Sequence, residues 1–240
     1  MAAAGDEVAP LWKSQGLDPR PYGGSYDHLY LDIYPPELDS GPAPHVTRRQ
    51  LLRPVTDDGH QSTASSPPFP DVPTGARRVY ASMGTVFNDP DLVRVILAAL
   101  GELDVAALMT VGHQTEPGIF GSRPPNVRIE RYVPQAAVLP HCAVVVSHAG
   151  SGTVLASVTH RLPQLCLPQG ADQFLNADAI ASAGAGISLS PGEATADAVG
   201  DAVVRLLEDA SFAHAAGRVA QSIESMPAPD DVVTVLEALA

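Results

Sequence analysis

From residue 76 onward the chain alternates between two kinds of hydrophobic pattern. Short, nearly unbroken apolar runs predict buried strands at 79–83, 105–111, 127–132, 143–147, 164–167 and 187–189. Between and after them, apolar residues recurring at helical spacing predict helices at 90–100, 153–160, 173–183, 195–208, 212–225 and 231–239. Strand alternating with helix predicts an α/β fold, a Rossmann-like parallel sheet with helices on both faces. Ligands of such sheets sit outside the carboxyl ends of the strands.

The first 59 residues follow another pattern. "EVAPLWKSQGL" reads as an amphipathic helix, and "LYLDIYPPEL" as a strand with Leu29, Leu31 and Ile33 on one face and Tyr30, Asp32 and Tyr34 on the other, stopped by Pro35 and Pro36. That is too little to bury a core of its own. "HQSTASSPPFPDVPTG", residues 60–75, has the Ser and Pro content of an extended linker. The expected organisation is therefore a short N-terminal piece at 1–59, a linker at 60–75 and one α/β domain at 76–240.

Charge narrows the function classes. A formal net charge of -13 opposes approach to nucleic acid or to an anionic membrane, so any phosphate must be small and locally held. Lys13 is the only lysine and alanine is abundant, a composition that hints at an actinobacterial source. Cys142 and Cys166 lie in or beside apolar runs and read as reduced, buried thiols; with no signal peptide or long apolar span in view, a cytoplasmic location is expected.

Three strand ends carry loops suited to chemistry: "SMGT" (82–85), "SHAGSGT" (147–153) and "PQGADQ" (168–173). In the second, Gly150 and Gly152 let the main chain approach a ligand, and the helix opening near Thr153 offers free amides and the positive end of its dipole to an anion, with His148 as an additional donor. Other phosphate motifs fit poorly. A P-loop needs a Gly-Lys pair, which is absent; a dinucleotide fingerprint needs a small residue where Leu155 stands; a nucleophile elbow needs glycine at Ala149. Asp89 and Asp91 form a D-x-D spacing, but Asp89 before Pro90 reads as a helix N-cap rather than a metal site. No histidine group has metal-ligand spacing.

The stretch 132–173, with its ordered aromatic-x-Pro-Gln, His-x-Gly, small-Gly-Thr, Leu-Pro and Asp-Gln, resembles the donor-binding signature of GT-B fold glycosyltransferases of the UDP-glycosyltransferase superfamily (family 1). Within it the sequence is most similar to the actinobacterial branch that decorates macrolide and enediyne antibiotics. The resemblance implies that Tyr132, the backbone around Val133, and Gln135 meet a nucleotide base. It puts the diphosphate on His148, Gly150, Ser151, Gly152 and Thr153, with Thr85 nearby, and the donor-sugar hydroxyls on Asp172 and Gln173. Taken singly, Tyr132 reads equally as a strand-end aromatic, Gln135 as a helix-start residue and Asp172 as an N-cap.

Two departures stand out. Relatives that use UDP-sugars carry a glutamate eight residues after the histidine for the ribose hydroxyls; Ala156 stands there, which favours a dTDP-sugar over a UDP-sugar donor. Arg161 replaces the family's usual glycine and leaves open a different backbone at that turn. The resemblance also implies no metal or other cofactor, and inverting transfer of a deoxysugar to a hydroxyl of a secondary-metabolite aglycone. The catalytic base is unassigned: the family's base lies near the start of an acceptor domain, of which residues 1–59 resemble only the end. His28, the first histidine, reads as a packing or surface residue. A face left uncovered by a missing half predicts association, as a homodimer or with a partner. The competing reading is a non-catalytic nucleotide-sugar-binding accessory protein, and a sugar epimerase ranks last because Asp172 is its only suitable carboxylate.

Overall fold

The computed structural model describes residues 2–39, 43–56, 69–71, 75–84 and 89–239, so Thr85 and most of the 60–75 linker lie outside the described residues. The chain divides into two compact units, one of Met1–Tyr34, Gly41–Arg53 and Ser225–Ala240, the other of Pro35–Ser40 and Pro54–Glu224. The sequence groups the last sixteen residues with the α/β domain; by compactness they go with the N-terminal segments. One physical tie is the Arg53 amide, which donates to the Pro227 carbonyl at 2.8 Å.

The smaller unit holds α1 (Ala2–Ser14), the parallel pair β1 (Tyr30–Asp32) and β2 (Arg49–Leu51), and the C-terminal helix α8 (Pro229–Glu237). The expected inward face of β1 is inverted. Asp32 is its buried residue while Ile33 is exposed, because the Asp32 carboxylate pairs with Arg49 at 2.5 Å and accepts the Tyr34 amide at 2.9 Å. A buried carboxylate is tolerated only with such partners.

The larger unit is the predicted α/β domain. Its elements are β3 (Arg77–Ser82), α2 (Pro90–Gly101), β4 (Val105–Thr110), β5 (Val127–Glu130), α3 (Gln135–Val138), β6 (Val144–Ser147), α4 (Ser151–Thr159), β7 (Gln164–Cys166), α5 (Gln173–Ser182), β8 (Gly186–Ser188), α6 (Ala196–Glu208) and α7 (Ala210–Ser225). All six strands are parallel, in the order β5-β4-β3-β6-β7-β8. The chain winds outward from β3 to β5, then returns to the middle at β6 and winds the other way. The strand order therefore reverses between β3 and β6, where a crevice opens at the carboxyl edge.

Alternating side chains feed two cores. Val79, Ala81, Ala107, Met109, Val144 and Val146 pack with Ile96 and Leu100 of α2 and Val199 and Val203 of α6. Tyr80, Leu108 and Val145 pack on the other face with Val138, Ala156 and Leu162. A sheet covered on both faces needs continuous rather than alternating apolar strands, which is what the sequence shows. Asp89 caps α2, its Oδ1 accepting the Asp91 amide at 2.9 Å with Pro90 at the first helical position. Cys142 and Cys166 are free thiols, and burial pushes both up to about 12, so they stay protonated at neutral pH. Among the described residues no helix is long and apolar enough to cross a membrane, and no cluster of His, Cys, Asp and Glu is arranged to hold a metal ion.

The turn at Arg161 keeps a glycine's backbone. Arg161 has φ +60°, its amide donates to Val158 at 2.8 Å, and the Leu162 amide donates to Ser157 at 3.0 Å. This pair of bonds is a Schellman C-cap, in which the left-handed residue is normally glycine. Holding an L-residue there costs about 1–2 kcal/mol, offset in part by the extra chain entropy a glycine would lose. The Arg161–Glu224 pair at 3.3 Å is too exposed to compensate much. Arg161→Gly should therefore raise stability by about 0.5–1 kcal/mol, read from urea unfolding midpoints; a loss of stability would contradict the strain argument.

Candidate functional site

The site is built where β3 and β6 end. Registration across the sheet puts Ser82, Thr110, Ser147 and Cys166 level with one another at the carboxyl edge. His148 follows directly on β6, and its ring fills a space that two glycines leave open. A Cβ at Gly84 would come within 2.7 Å of His148 Nε2, and one at Gly150 within 2.5 Å. Real Cβ atoms do not approach that closely, so both glycines are needed for the imidazole to lie where it does. Gly84 additionally has φ +76°, a backbone other residues resist.

Beside the ring, α4 begins without a side-chain cap. Its N-cap is Gly150, the first helical bond is Val154 to the Gly150 carbonyl at 3.0 Å, and no described side chain occupies the amides of the first turn. Free amides at the positive end of a helix accept an anion. Burial lowers the pKa of His148 from its ordinary value, against weaker upward pulls from the Ser82 main chain and the Asp172 carboxylate. The ring is therefore neutral at pH 7. Ser82 approaches it without satisfying Nδ1, which is buried and has no hydrogen-bond partner among the described residues.

The other predicted residues gather around this point. Gln135 of α3 donates through Nε2 to Thr153 Oγ1 at 3.0 Å, joining α3 to the first turn of α4. The Ser151 hydroxyl donates to Asp172 Oδ2 at 2.7 Å. That bond is the main reason the Asp172 carboxyl sits below the usual range; burial opposes it, and Asn176 and His148 assist. Asp172 makes no N-cap bond; its Oδ2 accepts from Ser151 across the two loops and from Asn176 one turn along α5. Gln173 is buried, and its Oε1 accepts the Gln169 and Gly170 amides at 2.8 and 3.1 Å, which shapes the loop instead of reaching outward. Gly152 is exposed in the first turn, and Val133 packs against the core of Tyr80, Leu108 and Val145. Thr85 lies outside the described residues.

A model of the family described as "Erythromycin biosynthesis protein CIII-like, C-terminal domain" matches residues 94–239. The chain belongs to this family. Among curated relatives, the 10-deoxymethynolide desosaminyltransferase of Streptomyces venezuelae is 33% identical over 242 positions, covering 95% of this chain and 54% of that protein. The Elloramycin glycosyltransferase ElmGT of Streptomyces olivaceus is 43% identical over 117 residues, 49% of this chain and 29% of its own length. Among solved structures, Spinosyn Rhamnosyltransferase SpnG complexed with thymidine diphosphate is 31% identical with a TM-score of 0.78, covering 95% of this chain and 60% of that one. The CIII-like chain thus spans about half the length of the curated relatives it matches. Its α/β unit has the architecture of the C-terminal half of the GT-B fold.

Within the CIII-like domain three features were missed by sequence reading. Tyr132, 44% exposed just after β5, is stacked on His113 with ring centroids 4.6 Å apart, so the imidazole covers one face of the aromatic ring. The sequence signal was a fourth strand end, "TVGH", after β4. Ala149 and Ala171 have φ +62° and +55° in the two loops around the site, strain of a kind that clusters at functional positions. Asn176 bonds into both loops. A separate cavity of about 540 Å³ is lined in part by Arg77, Asp104 and Glu208. It lies at the amino end of β3 and β4, and its carboxylates do not suit a diphosphate.

Proposed function

We propose that this chain is the donor-binding half of a glycosyltransferase that moves a deoxysugar from a dTDP-sugar to a hydroxyl of a secondary-metabolite aglycone, with inversion and without a metal. The observation that carries the reading is the His148 ring cradled by Gly84 and Gly150 beside the uncapped amides of α4. That arrangement meets the charge that develops on a departing diphosphate with fixed donors that need not reorganise. Support also comes from relatives named as sugar transferases of macrolide and anthracycline pathways, and from neighbours titled as complexes with thymidine diphosphate and with dTDP.

In this reading Ser151, Gly152 and Thr153 hold the diphosphate with His148, and Thr85, outside the described residues, is assigned to the diphosphate by the resemblance alone. Tyr132, Val133 and Gln135 face the base. Asp172 accepts from sugar hydroxyls, and Gln173 keeps the loop in shape. Ala156 is buried in the core of Tyr80, Leu108 and Val145 and offers no acceptor to a ribose 2'-hydroxyl, which supports dTDP over UDP. The acceptor half would supply the aglycone pocket and the base that removes the acceptor proton, and the exposed Phe174 and Leu175 beside Asp172 are apolar surface it could cover.

Titration calorimetry of the chain with dTDP and with UDP tests this directly. We expect dTDP to bind at least about tenfold more tightly, the worth of one unmatched hydrogen-bonding group. Absence of heat with both ligands removes the donor-site reading. Equal affinities remove the argument from Ala156 alone.

A further inference from the structure

We infer that Asn176 is a positioning residue that sets two subsites of the donor pocket at once, tying the diphosphate turn after β6 to the carboxylate that meets the sugar. The inference rests on the donor-site reading above. Asn176 lies one helical turn beyond Asp172 on α5 and is only 7% exposed. Its Nδ2 is 2.9 Å from the Ala149 carbonyl, 3.1 Å from Asp172 Oδ2 and 3.4 Å from Ser151 Oγ. A carbonyl can only accept, so the nitrogen must be the group that faces Ala149.

Each bond holds something that would otherwise drift. Ala149 stands between His148 and Gly150 in a left-handed conformation that an alanine leaves readily unless its surroundings hold it. The bond from Asn176 fixes the carbonyl of that residue, and with it the direction in which the chain carries His148 out of β6. On the other side, Asn176 and Ser151 both donate to Oδ2 of Asp172, while among the described residues Oδ1 accepts nothing from another residue. A carboxylate held by one oxygen presents the other to a ligand hydroxyl in a fixed orientation. A residue needed only to fill this corner of α5 would not require an amide; a small apolar side chain would pack there without a polar atom to satisfy.

The test is calorimetry of the chain with dTDP and with dTDP-glucose as probes, with thermal unfolding recorded for each variant. Asn176→Ala should weaken dTDP-glucose about tenfold more than dTDP, and this excess should vanish in an Asp172→Ala background, since both act through the same carboxylate. Asn176→Asp, nearly isosteric, keeps the experiment open if the alanine variant folds poorly. The terminal phosphate of dTDP, which dTDP-glucose lacks, titrates at about 6 and moves the ratio of dTDP-glucose to dTDP affinity in both proteins alike; the added carboxylate facing Asp172 should make that ratio rise more steeply in the variant than in the unaltered chain as pH falls from 7 to 5. Equal losses for the two ligands, or a ratio in Asn176→Asp that follows the pH course of the unaltered chain, would reduce Asn176 to a packing residue and overturn the inference while leaving the donor site intact. If the unaltered chain binds neither probe, the donor-site reading fails first and takes this one with it.

Discussion

Replacing His148 with alanine should weaken dTDP binding by about ten- to a hundredfold, the net worth of a hydrogen bond to a charged group. The ring already lies in the space that the two glycines leave open, so little rearrangement is needed when the ligand arrives. Folding should be affected far less, since the buried Nδ1 makes no bond among the described residues that would be lost. The pH profile gives a second readout. Burial keeps the ring neutral at pH 7 by lowering its pKa; a bound diphosphate pulls that pKa up, so binding takes up protons and strengthens as pH falls from about 7.5 toward 6. The ligand's terminal phosphate titrates near 6 as well, so the quantity to compare is the difference between the two proteins. In the absence of ligand the sign reverses: a histidine whose folded pKa is depressed loses stability for the fold as pH drops below its ordinary 6.5 toward the folded value, and His148→Ala should flatten that slope. Gly150→Ala should reproduce the binding loss with the imidazole still present, because its Cβ would claim the space of Nε2. If both variants bind dTDP as the unaltered chain does, His148 has no part in the site.

The largest effect on stability is expected from Gly186→Ala. A Cβ at this position would lie 2.2 Å from the Gln164 carbonyl oxygen and 2.6 Å from Ile180 Cγ2. The first clash is with the backbone of β7, the strand against which Gly186 is registered, so no side-chain rotation relieves it. Either β8 separates from β7 or α5 is pushed off the sheet. Overpacking of this kind costs about 3 kcal/mol, which in a protein of this size lowers Tm by roughly 6–12 °C. Hydrogen exchange should show the loss first at Ile187 and Ser188, on the edge strand. Gly192→Ala is the control: a Cβ there meets nothing within 4 Å, and the variant should unfold with the unaltered chain. A Gly186→Ala protein as stable as its parent would mean that β8 is not docked as described.

The α/β domain was legible in the sequence because local and global signals agree there. A strand such as Val144–Ser147 is apolar on both faces since both are covered, and "HAGSGT" reads as a strand-to-helix turn because no other use of so many small residues fits the spacing. The smaller unit was read less well. In β1 the alternation set Leu31 and Ile33 against Asp32, but Arg49 of β2, registered with Tyr30, pairs with Asp32, which is buried while Ile33 is exposed. Its short strand Arg49–Leu51 carries no hydrophobic period at all, and only pairing makes it a strand. Within the site, His148, Gly150 and Thr153 were named from the chemistry of the turn, whereas the roles of Ser151, Asp172 and Gln173 came from the family resemblance; the Oε1 of Gln173 accepts the Gln169 and Gly170 amides.

Sequence alone determined the order of the strands and long helices of the α/β domain, the turn that can accept an anion, and the family to which the chain belongs. These depend on periodicity and on residue type at fixed separation, both of which are written along the chain. Tertiary structure decided which groups share a hydrogen bond: that Ser151 reaches Asp172, that Asn176 ties Ala149 to the same carboxylate, that Tyr132 stacks on His113, and that Gly84 and Gly150 are empty for the sake of one ring. The two loops are joined at residues 21 to 27 positions apart, and a hydrogen bond depends on distances of a few tenths of an ångström, which no pattern of polar and apolar residues encodes. Arg161 shows the same limit from the other side: the residue type left a changed backbone open, and the two C-cap bonds of α4 hold it in the left-handed form.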